Sequence, residues 1–191
     1  MNRKTNIPST ARILRIEKAL TPSSRAWLNH QPRPDRLFGR RVPDSLDGLT
    51  FGELLGLQEI EGTSNGDSIV IVARTVLKTR RPAAWILRTR ADRVFGFLAF
   101  VTRELERIGK LFKAIEHTPD EDELAAGVND LDFGPFGLVD WYARRMGYTN
   151  HDDALSVPWL RVYQCMKMDA ERDAYERRLR DVVNAKFKPK K

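Results

Sequence analysis

With 191 residues, 41% of them hydrophobic and 31% charged, the chain has enough apolar material to bury a core without disulfide or metal support, which excludes a wholly disordered protein. A single cysteine, Cys165, excludes an internal disulfide, and the most apolar run, residues 94–101, falls far short of the roughly 20 residues a membrane helix needs. The net charge of +7 is compatible with a polyanionic partner but does not name one.

The chain opens on a basic stretch, MNRKTNIPSTARILRIEKAL, with no apolar segment behind it, so no secretory signal is expected and the default compartment is cytoplasmic. The first ten residues are polar and expected to be loose. Residues 11–20 have helical composition. Thr21 and Pro22 then supply an N-cap and a first-turn proline for a short helix reaching Leu28. Residues 31–42, with two prolines, a glycine and Arg33, Arg36, Arg40 and Arg41, predict an extended arm.

The globular signal strengthens at Thr50, where Thr50 and Glu53 have capping-box spacing ahead of Leu54, Leu55, Leu57 and Ile60. Residues 68–77 are ambiguous. Ile69, Val70, Ile71 and Val72 are β-branched and suit a strand, but Ala73, Val76 and Leu77 extend the pattern at helical spacing, and a helix is favoured. After the break at Pro82, residues 92–116 give the clearest helix, with apolar residues every three or four positions and Arg103, Glu104, Glu106, Arg107 and Lys110 on the other face. Thr118 and Glu121 suggest a second capping box opening a short acidic helix that ends near Gly127. A loop over 130–135 leads to a helix over 136–146 stopped by Gly147. Thr149 or Asn150 caps a one-turn helix, and a long terminal helix starts at Pro158 and runs to about Ala185. The expected fold is all-α: a single compact multi-helix domain over 49–185, with an extended N-terminal arm over 1–48 and a basic tail over 186–191.

No chemistry-bearing motif emerges. His30, His117 and His151 lack metal-ligand spacing, and Cys165 has no cysteine partner. Phosphate-binding and dinucleotide fingerprints and a nucleophile elbow are missing. The expectation is therefore no catalytic residue, no metal, no cofactor and no enzyme. Phe136 and Trp159 read as core. The segment from Leu138 to Tyr163 imitates helix-turn-helix, but its connection is too long and the following helix offers a thin basic face.

Two blocks carry a family resemblance: VPDSLDGLTFGELLGLQEI (42–60) and FGLVDWYARRMGYTNHDDALSVPWLRVYQCMKMDAERDAYERRL (136–179). A short leucine-rich capped helix, a V-P-W step and a long charged helix resemble small helical proteins of tailed-phage morphogenesis, in particular tail assembly chaperones. The resemblance implies a non-enzymatic protein of the bacterial host cytoplasm that binds the tape-measure protein or tail-tube subunits, with homo-oligomerisation open and no membrane partner. The expected interface lies on the terminal helix at Trp159, Val162, Tyr163, Met166, Met168 and Tyr175, where methionine gives adaptable contacts. The competing reading is packing of these same residues into the domain. The alternative function is a DNA-binding regulator or packaging accessory, contacting phosphates through Arg33, Arg36, Arg40, Arg41, Lys186 and Lys188.

Overall fold

The structure is a computed structural model and describes residues 8–15, 21–60, 66–131 and 133–187. Among these residues it is all-α apart from one two-stranded hairpin. The helices are α1 (Thr10–Arg15), α2 (Pro22–Asn29), α3 (Phe51–Glu59), α4 (Gly66–Leu77), α5 (Ala83–Leu87), α6 (Ala91–Lys113), α7 (Glu121–Ala125), α8 (Gly134–Met146), α9 (His151–Ser156) and α10 (Trp159–Phe187). No described helix is long and apolar enough to cross a membrane. The chain divides into two compact units, Met1–Leu49 with Glu53–Ile108, and Thr50–Gly52 with Gly109–Lys191. The boundary falls within α3 and α6 rather than between an arm and a domain.

In the first unit, the segment expected as an extended arm supplies core. Leu28, Leu37, Phe38, Val42, Leu46 and Leu49 are buried. Arg36–Leu37 (β1) pairs antiparallel with Arg40–Arg41 (β2). The two-residue turn between them places Phe38 and Gly39 at φ 50° and 81°, the left-handed geometry that matches strand twist in a tight hairpin. The alternation that turns Leu37 inward while Arg36 stays exposed is too short to register as a strand pattern in sequence. Residues 8–10, expected to be loose, are docked: Thr10 N–H donates to the Thr89 carbonyl at 2.9 Å and Ala91 N–H to the Pro8 carbonyl at 3.0 Å. Residues 1–7 and 16–20 lie outside the described residues.

The β-branched run forms a helix, α4, burying Ile69, Val70, Val72, Ala73, Val76 and Leu77, the helical repeat outweighing strand propensity. Helix α6 buries Val94, Phe97, Val101, Leu105 and Ile108 at three- and four-residue spacings. Its polar face is tied to the preceding loop. Arg107 donates to Glu104 at 2.9 Å and Asp47 at 2.6 Å, and Glu104 also accepts from Leu46 N–H at 3.0 Å. Burial works against the Glu104 carboxylate, but the donors on it win and hold its pKa below the usual range. Gly96 lets the chain at Pro32 lie directly on α6; a Cβ there would overlap the Pro32 carbonyl.

In the second unit, Thr50 bridges Pro158 and Phe51 N–H donates to the Val157 carbonyl at 2.7 Å. Gly52 permits that approach, since a Cβ would sit 3.1 Å from Leu155 Cβ. The cap of α7 is Asp120 rather than Thr118. Its carboxylate accepts from Glu123 N–H at 2.9 Å, and Glu123 accepts from Asp120 N–H at 2.9 Å. Asn150 caps α9 and Gly147, at φ 71°, ends α8.

Candidate protein-docking surface

The features suited to binding in the second unit are built on α10. Its first turns are anchored. Trp159 and Val162 are fully buried, and Trp159 and Tyr163 pack against Phe112, tilted and edge-on, with ring centroids 6.1 and 5.5 Å away. Trp159 and Val162 are therefore core rather than interface, because the V-P-W step turns α10 inward at its start. Tyr163 and Met166 are half-buried. Arg145 of α8 grips Asp169 of α10 through two hydrogen bonds of 2.8 and 2.9 Å, which favour the charged guanidinium.

From Met168 onward the helix changes character. Met168 is 56% exposed and Tyr175 57%, and Leu179, Val182, Val183 and Phe187 are also exposed. Met168, Tyr175, Leu179 and Val182 recur at spacings of seven, four and three, which places them along one side of the helix. Of the six residues expected on the interface, Met168 and Tyr175 lie on this open stripe. Leu179 and Val182 join it and were readable from the same spacing, but the dense charge around them masks the repeat.

On the other side of α10 from the stripe lies an open groove of about 1040 Å³. Leu138 and Trp141 of α8 and Met166, Ala170 and Ala174 of α10 give it an apolar lining. Its rim is charged, with Glu116, Glu123, Asp173 and Arg177. His117 and Glu123 pair at 2.6 Å. The Asp120 N–H first, and then His117, hold the Glu123 carboxyl below the ordinary carboxylate range. Glu116 and Asp173 have no ion pair among the described residues. A groove with apolar lining and charged margins fits the apolar face of a helix better than a small substrate, for which convergent buried polar groups are the usual sign.

The other aromatic cluster splits. Tyr142 is buried, while Phe136, expected in the core, is 64% exposed and lies against His151 with centroids 5.0 Å apart. His151 pairs with Asp140 at 3.2 Å, and no group of three or more metal-ligating side chains converges among the described residues.

The residues of the alternative reading also separate. Arg33 is used internally: it donates to the Pro43 carbonyl at 2.6 Å, pairs with Asp44 at 2.8 Å and lies over the Phe100 ring at 5.4 Å. Arg41 lies 3.6 Å from the same Asp44, whose pKa these two guanidiniums lower, Arg33 foremost. Arg36 and Arg40 are exposed on the hairpin, and Lys186 is exposed in the last turn of α10. Lys188 lies outside the described residues.

The structure thus defines an all-α protein with an anchored long helix and an open apolar stripe. No protein-family model matches the chain, and neither a curated protein nor a solved structure gives a significant match.

Proposed function

We propose that this is a non-enzymatic helical protein of tail assembly chaperone type, which binds and shields an apolar helix of the tape-measure protein in the host cytoplasm. The observation that carries the reading is the stripe of Met168, Tyr175, Leu179 and Val182 on a helix whose other end is locked into the core. Large side chains exposed in series cost solubility unless a partner covers them. The groove on the opposite side of α10 offers a second, separate apolar surface on which a helix can dock.

The test is co-expression pull-down with the tape-measure protein, comparing the unaltered chain with a Tyr175→Ser, Leu179→Ser double variant. Both side chains are exposed, so the variant keeps its thermal unfolding transition. Burying each in an interface contributes on the order of 1 kcal/mol or more, so affinity should fall at least about tenfold. Undiminished capture by the folded double variant would sink the reading.

A further inference from the structure

The positive charge of this protein is concentrated in one unit. The first unit contains 19 of the 33 Lys and Arg residues against 11 of the 26 Asp and Glu, while the second contains 14 against 15. Part of that excess gathers around the hairpin turn. Arg36 and Arg40 are exposed on its two strands. The Arg81 guanidinium reaches within 3.8 Å of the position a Cβ would take on Gly39. Arg93, in the first turn of α6, donates to the Arg36 carbonyl. Arg36, Arg40, Arg81 and Arg93 are all exposed and have no carboxylate partner among the described residues, unlike Arg33, Arg41 and Arg90. Guanidiniums left unpaired at close quarters repel one another, and an arriving anion relieves the repulsion.

An aromatic surface adjoins them. Trp85 of α5 is 50% exposed, and the Arg81 guanidinium lies over its ring at 4.6 Å. Half-open indole beside unneutralised arginines is the pairing that single strands require: cations for the backbone and a flat ring for an unstacked base. Reading a duplex needs a helix or a longer ribbon in the major groove, and two residues per strand are too few. An acidic protein partner would use the arginines but has no need of the exposed ring.

We propose that this face of the first unit binds single-stranded nucleic acid, with Arg36, Arg40, Arg81 and Arg93 on phosphates and Trp85 stacked on a base. The proposal is independent of the protein-docking stripe on α10.

The experiment is fluorescence anisotropy of the full chain with a labelled oligothymidine of about 20 nucleotides, longer than the roughly 4–16 one such site spans. A duplex of equal length and poly-glutamate serve as comparison ligands. Binding should be tightest to the single strand. With about four phosphates engaged, raising salt from about 50 to 200 mM should weaken it about 50-fold. Trp85→Ala should weaken it at least about fivefold, with Trp85→Phe restoring most of the loss. Arg36→Ala with Arg40→Ala should reduce both affinity and salt slope, and Arg81→Gln reads the same contact without touching the hairpin strands. Arg178→Ala, in the second unit, should change nothing. No binding at about 50 mM salt, equal binding to duplex or poly-glutamate, or indifference to Trp85→Ala in a folded variant would each overturn the proposal.

Discussion

At the scale of single residues, two side-chain positions carry more consequence than their neighbours. The Tyr142 ring is fully buried, and its hydroxyl has no hydrogen-bond partner among the described residues. An unmet buried hydroxyl costs roughly 1–3 kcal/mol, so Tyr142→Phe should leave stability unchanged or raise it in urea unfolding. A clear loss would mean the hydroxyl has a bound partner. Burial also pushes the Tyr142 phenol pKa up. The folded chain therefore holds this proton when the unfolded chain has released it. The resulting stability is present below the unfolded value of about 10 and is lost as pH rises through the folded one. Urea unfolding on both sides of that value should show the unaltered protein losing stability relative to Tyr142→Phe only on the alkaline side. Gly96 is the second position. Ala is the better helix former, yet here its Cβ meets the Pro32 carbonyl. Gly96→Ala should destabilise by about 1–3 kcal/mol, the usual cost of overpacking, read from its thermal midpoint.

At the scale of elements, α7 tests what a cap alone can hold. This helix buries no residue, so packing gives it nothing and the reciprocal Asp120–Glu123 box is its main support. Asp120→Ala should abolish amide protection across α7 while the unfolding transition of the protein stays put; retained protection would show that the box is dispensable. Acid should do the same. The Glu123 carboxyl is held below its ordinary range by the Asp120 N–H and His117, so its contribution is present at and above that range and disappears as pH falls through the lowered value. Most helices were legible in sequence. Thr21, Pro22, Gly147 and the apolar repeats of α4 and α6 place them where the structure does. The α7 cap was misplaced because Thr118-Pro119 and Asp120-Glu121 offer overlapping signals, and only geometry decides which carboxylate reaches back.

At the scale of the whole molecule, sequence shows far less. The hairpin at 36–41 is two residues per strand, too short for any periodicity, and its arginines disguise a segment that buries Leu37, Phe38 and Val42 as a solvated arm. The candidate docking stripe was half-legible: Met168 and Tyr175 stand out by type, but that Trp159 turns inward depends on contact with Phe112, distant in sequence. The cluster at Arg36, Arg81, Trp85 and Arg93 was not legible, since nothing in the sequence says that the chain at 36–40 returns to 81 and 93.

The short excursion at Thr50–Gly52 sets a timetable for synthesis. These three residues belong with the second unit, bonded to Val157 and Pro158 and packed under Leu155, yet they leave the ribosome among residues of the first. Their partners are made roughly a hundred residues later, a wait of about 5–20 s at ordinary elongation rates. Through that interval the nascent chain holds Phe51 without its destination, so the second unit cannot close vectorially from its own sequence. It closes only after translation has passed Pro158, around a segment delivered early.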